Sequence, residues 1–555
     1  MSGKRFISVS DATAMAPDYI VVGGGPGGCV VAGRLSEDPN VKVLLVEAGR
    51  DSDSWRVRWP FGTAFMVTRP GWDWGWQTLP DASMEGRDVM WSSGKMLGGS
   101  SSINGQVFMR GLKSDFDLWD EAVGGEGEWS YDDLLPYFMK AENYNGPASP
   151  VRGKGGPVNV VDLGQPHPIA DAFVKTGVDM GYELTDLNGE QPIGFGYTQA
   201  NQKDGMRFSA YDAYIRPNLG RSNLGVLIKH PVVRVLFDGN RATGVEVVSP
   251  DGTRTRLTAG REVIVSSGTA GTTNLLMKSG VGPRQVLEKA GVHVQIAAPA
   301  LGRNLQEHPG FSVSRFIKGA WSFNQAQVRP DLGLRYLYRL LAKHDGPFAA
   351  PAILAMGYAH TTPDRSGPPD LQLHFMPFAY RLRPGDKSPV TAQIPKRSAV
   401  LFMATLTKPH ARGTITITDS DPLGRPVIDH QLLGDERDLQ NLVTGAKILT
   451  EMFQSPHVAP YVVDQCNPQV DPADDAGWVD YVRRNTYTAY HMVGTARMGR
   501  RDDPEAVVDP ALRLIGAEGL RIVDASVIPV VPSANTFLPV VAVGEKAADI
   551  IRHGG

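Results

Sequence analysis

A run of glycines near the N-terminus carries the first chemical signal in the chain. In Gly23-Gly-Gly-Pro-Gly-Gly28, Gly23 allows a tight turn, Gly25 lets the backbone approach a pyrophosphate, and Gly28 allows a helix to pack closely on a strand. The N-terminus of the following helix would offer N–H groups to phosphates. Glu47 lies 19 residues after Gly28, at the end of the next predicted strand, where a carboxylate accepts from ribose hydroxyls. The pattern predicts a dinucleotide site but does not separate FAD from NAD.

The elements that must position this loop form a β-α-β unit. Asp18–Val22 and Val41–Val46 are apolar runs typical of buried parallel strands, and Cys29–Leu35 is the predicted helix between them. Helices are also predicted at Ala270–Ser279 and Pro539–Arg552. Further strands of the same sheet are expected at Gly225–Lys229, Val232–Phe237, Gly244–Val248, Arg254–Leu257, Glu262–Gly268 and Leu520–Asp524.

The nucleotide-binding domain is therefore predicted to be discontinuous. Residues 1–17 would form an N-terminal arm, and residues 18–149, 221–309 and 491–555 the Rossmann-like nucleotide domain. Residues 150–220 and 310–490 differ in amino-acid composition from the nucleotide domain. The alternating apolar pattern of the second stretch suggests antiparallel strands. The predicted fold class is α/β (α+β overall), with a substrate-binding domain of antiparallel sheet and helices.

Composition excludes several classes of function. The 555 residues carry a net charge of -3, which gives no reason to expect a nucleic acid partner. Cys29 and Cys466 are the only cysteines, a disulfide between them is not expected, and a cytoplasmic location fits best. No H-E-x-x-H or paired C-x-x-C motif supports a metal site.

Membrane contact is restricted but not excluded by the sequence. No stretch of about 18 apolar residues could span a bilayer. Leu332–Leu341 could form an amphipathic helix on a membrane surface, although a helix packed on its own domain is the favoured interpretation. The oligomeric state stays open.

A second glycine cluster, Gly94-Lys-Met-Leu-Gly-Gly-Ser-Ser-Ser-Ile-Asn104, resembles the flavin-contacting signature of the glucose–methanol–choline (GMC) oxidoreductases. The resemblance continues through Arg110–Trp119, Trp129–Phe138 and Gly302–His308, and it is densest from His491 to Ala548. It is closest to bacterial choline-dehydrogenase-like and hydroxymethylfurfural-oxidase-like members. The family implies FAD, a flavin domain of this discontinuous kind, and a substrate domain whose antiparallel sheet covers the isoalloxazine.

The same resemblance implies roles for individual residues. Those near the ribose, the flavin and its diphosphate would be Glu47, Ala48, Gly98, Gly99, Ser102, Asn104, Gly105, Asp524 and Ala525. Val233 would hold the adenine through its backbone. The pyrimidine edge of the flavin would be contacted by Asn535, Thr536 and Pro539. Some members tether FAD through a histidine at the position of Ile103, so FAD is expected to be bound non-covalently here.

His491 and Asn535 match the catalytic positions of the family. Alcohol oxidation needs a base at the hydroxyl and a hydride acceptor, and histidine is the natural base near neutral pH. The amide of Asn535 can donate and accept, which orients the substrate oxygen. His308 is expected to anchor structure near the flavin domain, and Met356, His374, Tyr490 and Phe537 are expected to line the substrate pocket.

The substrate is predicted to be a neutral primary alcohol, aromatic or of medium chain length. Choline-oxidising relatives carry a glutamate where Ala355 stands here, and a cation without a counter-charge binds poorly in a closed pocket. The electrons would pass to O2 or another carrier. The alternatives are an NAD-dependent reductase, a non-redox family member such as a lyase or photodecarboxylase, and a flavin-binding scaffold without catalysis.

Overall fold

A computed structural model describes residues 6–163, 167–383, 386–387, 392–471 and 473–554. Helix accounts for 31% and strand for 24% of the chain, so the predicted mixed α/β class is confirmed. Two sheets organise these elements, one parallel and one antiparallel. Among the described residues no helix is both long and apolar enough to cross a bilayer.

The parallel sheet contains strands from widely separated parts of the chain. All neighbouring strands run parallel, and nearly all their residues are buried. Such continuous apolar strands are typical of a sheet covered on both faces. In spatial order the strands are Leu224–Ile228, Val43–Glu47, Tyr19–Val22, Glu262–Val265 and Leu520–Ile522.

The β-α-β unit is formed around the glycine run. Its helix is Pro26–Leu35, which begins at a proline whose fixed φ suits the first helical position. Gly23 has φ +102°, a conformation that favours glycine. A Cβ on Gly28 would lie 2.0 Å from the Gly23 carbonyl oxygen, so only glycine lets the helix approach its strand this closely.

Three of the predicted strands do not join the parallel sheet. Val232–Asp238, Arg241–Val248 and Arg254–Thr258 pair antiparallel in a separate three-stranded sheet. Short connections join them, as hairpins require, whereas a parallel pairing would need a long crossover. The prediction that they extend the first sheet was therefore wrong.

The antiparallel sheet has seven strands. Its strands, in spatial order, are Val462–Asn467, Pro309–Ile317, Ala399–Leu406, Leu371–Met376, Ala355–Ala359 and Phe195–Tyr197, with Tyr487–Thr488 paired to the second of these. One face packs in a common core with the helices Pro168–Asp179, Glu436–Gln454 and Asp475–Asn485. The other face turns Gln372, His374 and Thr405 towards a cavity.

The remaining helices and smaller strands connect these layers. The helices are Val9–Met15, Trp55–Arg58, Lys113–Val123, Tyr131–Ala141, Gly268–Lys278, Arg284–Lys289, Phe323–Ala326, Pro330–Tyr338 and Phe537–Arg552. A four-stranded sheet, Val107–Phe108, Gln199–Ala200, Val158–Asp162 and Glu142–Tyr144, takes strands from both sides of the predicted boundary at 149/150. The two predicted domains thus share one small sheet, and their boundaries stay a prediction.

The helix Pro330–Tyr338 lies where an amphipathic helix was predicted. Tyr336 and Leu340 are buried against the rest of the protein, whereas Leu334 and Tyr338 are exposed. One face of this segment therefore packs on the protein, and contact of its exposed face with a membrane stays a prediction.

We predict that Gly28→Ala destabilises the fold by about 1–3 kcal/mol, the usual cost of overpacking. The added methyl would meet the Gly23 carbonyl at 2.0 Å, and this clash outweighs the helix-propensity gain of about 1 kcal/mol. The urea-unfolding midpoint measures the effect. Gly220→Ala is the control, because its methyl meets no atom within 4 Å, and equal midpoints for the two variants would contradict the prediction.

Candidate active site

A cavity of about 1280 Å³ lies between the two sheets. Residues that follow the carboxyl ends of the parallel strands line it, including Gly23, Ala48, Pro231, Ser266 and Asp524. Ligands of open parallel sheets bind at this edge. The volume exceeds that of an ordinary single-ligand pocket, so a dinucleotide and a second molecule could be accommodated together.

Most of the residues predicted to bind the cofactor line this cavity. The predicted residues that line it are Gly23, Gly25, Glu47, Ala48, Gly99, Asn104, Gly105, Asp524, Ala525, Asn535 and Thr536. Gly28, Gly98, Ser102 and Val233 are not among the lining residues. Ser102 instead donates to the Leu97 carbonyl, and the Gly98 N–H donates to the Gly24 carbonyl, which joins the two glycine clusters.

The glycine-loop end of the cavity suits a dinucleotide such as FAD. No side chain caps the N-terminus of the helix Pro26–Leu35, and Gly25, Pro26 and Gly27 line the cavity. This terminus can therefore serve an anionic diphosphate. The Glu47 carboxylate accepts the N–H groups of Gly24 and Gly49 at 2.8 and 2.7 Å, which aims it into the cavity. Burial raises the pKa of Glu47 to about 7, and the two amides act in the opposite direction.

Arg207 braces the second glycine cluster, a role that the sequence reasoning did not identify. Its buried guanidinium donates to the Ser101 carbonyl at 3.2 Å and to Asn104 Oδ1 at 2.7 Å. A third contact runs to Thr63 Oγ1 at 2.6 Å. Burial lowers the pKa of Arg207 to about 9. No local pattern marks this arginine, because its partners are far away in the sequence.

His491 and Asn535 meet in the middle of the cavity. Asn535 Nδ2 lies 3.0 Å from His491 Nε2, and both residues line the cavity. Burial lowers the pKa of His491 to about 4, so its imidazole is neutral at physiological pH. Asn535 Oδ1 is buried and has no hydrogen-bond partner. A neutral imidazole nitrogen and an amide side by side can bind and deprotonate a hydroxyl group.

Glu307 holds the backbone at His491. Both of its carboxylate oxygens accept the His491 N–H at 2.8 Å, and one also accepts the His308 N–H at 2.8 Å. Burial raises the pKa of Glu307 to about 7, and its hydrogen bonds lower it. The motif Gly302–His308 contained Glu307, but only the structure gives it this role.

His308 lies closer to the predicted catalytic residues than the sequence indicates. Its Nδ1 is 2.9 Å from His491 Nδ1, so it contacts the predicted base rather than only anchoring structure. Sequence reasoning missed this because 183 positions separate the two histidines.

A separate set of contacts fixes the loop that carries Asn535. Ser533 donates through its N–H and hydroxyl to the buried Asp115 at 2.7 and 2.8 Å. The Tyr358 hydroxyl donates to the Ser533 carbonyl at 2.5 Å. The helix Phe537–Arg552 begins directly afterwards, so the amide of Asn535 is held from both sides.

The antiparallel sheet forms the other end of the cavity. His374, Tyr490 and Phe537 line it as predicted, whereas Met356 does not. Met356 packs with Met109 and Tyr358 in a neighbouring apolar cluster. The cavity wall here is largely apolar and aromatic, formed by Phe61, Phe323, Phe348, Ile353, Met376 and Phe378.

Ala355 points away from the cavity, so the prediction that it faces the substrate is wrong. Its side chain is fully buried in the core on the opposite face of the sheet, since neighbouring strand residues face opposite ways.

The charged residues that line the cavity lie outside the antiparallel sheet. Within the described part of the chain, the lining carboxylates are Glu47, Asp73 and Asp524, and none belongs to the antiparallel sheet. The lining cations are Lys95 and Arg425. The described residues also contain no group of three or more side chains suited to a metal ion.

Comparisons with known proteins agree on one family. The N-terminal GMC oxidoreductase family model matches residues 17–310, and the C-terminal one matches residues 409–544. Human mitochondrial choline dehydrogenase is 35% identical over 96% of this chain and 89% of its own length. The alcohol dehydrogenase [acceptor] of Pseudomonas putida is 33% identical over 96% of this chain and 95% of its own length. The crystal structure of pyridoxine 4-oxidase from Mesorbium loti superimposes with a TM-score of 0.86 at 29% identity, covering 97% of this chain and 99% of that one.

Proposed function

The chain belongs to the GMC oxidoreductase family, which includes FAD-dependent alcohol and choline dehydrogenases and oxidases, and we propose that it converts a neutral primary alcohol, aromatic or of medium chain length, to the aldehyde. The proposal rests on the contact between His491 and Asn535, which lies where the dinucleotide end of the cavity meets its apolar end.

In the proposed reaction His491 Nε2 accepts the hydroxyl proton. The side-chain amide of Asn535 donates from its nitrogen and accepts at Oδ1. It can therefore hold the substrate oxygen beside His491 Nε2. FAD, when bound, supplies the acceptor for the hydride that leaves the alcohol carbon. Loss of this hydride and of the proton converts the alcohol to the aldehyde. O2 or another carrier then takes up the electrons.

A neutral substrate is supported by the charges of the cavity rather than by Ala355. The sheet-facing end presents aromatic rings, His374 and Thr405, and none of its described side chains is a carboxylate. Burial lowers the pKa of His374 to about 3, so this side chain is neutral too. A quaternary ammonium group would therefore meet no carboxylate among the described side chains of this end.

FAD is proposed to be held without a covalent bond to the second glycine cluster. Ile103 lines the cavity and has a saturated side chain, which cannot attach to a flavin.

We predict that His491→Ala slows anaerobic flavin reduction by about 10²–10⁴-fold, the usual contribution of a general base. In the wild type the base must be neutral to accept a proton. The rate should therefore be constant above about pH 5 and fall about tenfold per pH unit below about pH 4, because the pKa of His491 is near 4. Stopped-flow absorbance follows the bleaching. A variant that bleaches as fast as the wild type would show that another group is the base.

We predict that choline is oxidised with a kcat/KM at least about tenfold below that of 3,3-dimethylbutan-1-ol. The two molecules share their shape, but only choline brings an unpaired charge into the cavity, which costs binding energy. Equal kcat/KM values for the pair would exclude a neutral-substrate site. Comparing O2 uptake with dye reduction on the better substrate identifies the acceptor.

We predict that acid denaturation releases all of the FAD. After centrifugation the flavin absorbance should be found in the supernatant, because Ile103 offers no attachment atom. Flavin that stays with the precipitated chain would reveal a covalent bond elsewhere.

A further inference from the structure

We propose that His308 is a positioning residue that fixes the tautomer of His491, so that the nitrogen facing the substrate is the one without a proton. The inference rests on the proposed function, in which His491 is the base. It concerns the side of the imidazole that faces away from the substrate.

The two rings meet through a single pair of atoms. His308 Nδ1 and His491 Nδ1 are 2.9 Å apart, and the ring planes are nearly perpendicular at 86°. Their backbones are tied to one carboxylate, since both N–H groups donate to Glu307. The Ala489 N–H also donates to the His308 carbonyl. The backbones that carry the two rings are therefore fixed relative to each other by one carboxylate.

A contact between two ring nitrogens has room for one proton. If His491 Nδ1 carries it, His308 Nδ1 accepts, and His491 Nε2 presents a lone pair to the cavity. If His308 Nδ1 carries it, a neutral His491 must be protonated at Nε2 and cannot accept a proton from an alcohol. The position of one proton thus switches His491 between a base and a donor.

The contacts around the two histidines favour the tautomer in which His491 is protonated at Nδ1 and can act as a base at Nε2. Asn535 Nδ2 points at His491 Nε2 at 3.0 Å, so this nitrogen is an acceptor. His308 Nε2 has no hydrogen bond of standard geometry, but the Thr407 backbone favours a proton on this ring. With that proton at Nε2, His308 Nδ1 is free to accept from His491.

His308 acts as a neutral acceptor and not as a counter-ion. Burial lowers its pKa well below the usual value, and the neighbouring His491, Lys408 and His374 lower it further. Lys408 itself is paired with Asp115 at 2.5 Å. When His491 takes up the alcohol proton at Nε2, its Nδ1–H can keep its hydrogen bond to His308 without any movement of the rings.

Two substitutions at His308 distinguish the loss of the hydrogen-bond acceptor from the loss of the ring itself. His308→Leu removes the acceptor, and we expect anaerobic flavin reduction to slow about 10- to 100-fold, with less than about threefold change in the apparent substrate Kd. His308→Asn places Oδ1 near the position of Nδ1, and it should recover most of the lost rate. Equal rates for wild type and His308→Leu, or equal losses in both variants, would overturn the proposal.

Loss of a buried histidine could also weaken the fold, and this needs its own control. His430 is buried outside the cavity, where its ring accepts from the Leu432 N–H. His430→Leu should leave the rate of flavin reduction within about twofold of wild type. FAD content and thermal midpoint are measured for all three variants.

A spectroscopic readout tests the tautomer directly in the FAD-bound wild type. With ¹⁵N-labelled histidine, His491 should show a protonated Nδ1 and an unprotonated Nε2, assigned by the loss of signals in His491→Ala. A protonated Nε2 would overturn the proposal even if His308→Leu failed to fold. If His491→Ala kept full activity, the proposed base would be wrong, while the tautomer measurement would still decide the role of His308.

Discussion

The short segment Asn304–His308 leads into the antiparallel sheet and contacts the backbone near both members of the proposed catalytic pair. Gln306 donates to the Pro529 carbonyl at 2.8 Å and accepts the Val531 N–H at 3.1 Å, which sets the loop before Asn535. Glu307 accepts the N–H of His491. The strand Pro309–Ile317 of the antiparallel sheet starts immediately afterwards, and it pairs with Tyr487–Thr488, which leads into His491. This stretch of backbone therefore contributes to the positions of both proposed catalytic side chains.

This arrangement requires a buried carboxylate. Glu307 is enclosed, and burial favours its protonated form, yet amide groups of the turn and the Thr488 hydroxyl donate to it. Such donors compensate for part of the lost hydration. The backbone around the base is held by hydrogen bonds to this group, while the imidazole rings of His491, His308 and His374 stay neutral because burial lowers their pKa values.

Sequence reasoning succeeded where the signal was local. The strand–glycine–helix pattern around Gly23–Gly28 lies within one short stretch, and its turn, helix start and following strand could all be predicted. It failed where the answer depended on pairing across the chain. Alternation identifies the two faces of the strand Ala355–Ala359, but it does not say which face meets the cavity, so Ala355 was misplaced. Met356 lies on the same face as its cross-strand partner His374, but it packs with Met109 instead of lining the cavity.

The same limit explains the other differences. The strands from Val232 to Thr258 mix buried and exposed residues, unlike the continuously buried parallel strands, and their short connections favour hairpins over crossovers. Arg207 and His308 act through partners more than 100 positions away, as at Ser101 and His491. A motif can include such residues, as it did for His308, without indicating which atoms they touch.

The partner of the base determines how strong that base can be. In a Ser-His-Asp triad a carboxylate stabilises the imidazolium, whereas here the ring of His491 meets another imidazole. A neutral acceptor can orient the ring, but it adds no charge to raise its pKa. His491 is therefore deprotonated at all physiological pH values, and it gains little driving force for proton transfer. So weak a base does not generate a free alkoxide easily, which favours removal of the proton together with cleavage of the C–H bond. In the proposed reaction, the contacts that fix His491 and Asn535 would serve this concerted loss of proton and hydride, which demands that the substrate oxygen and carbon be positioned at the same moment.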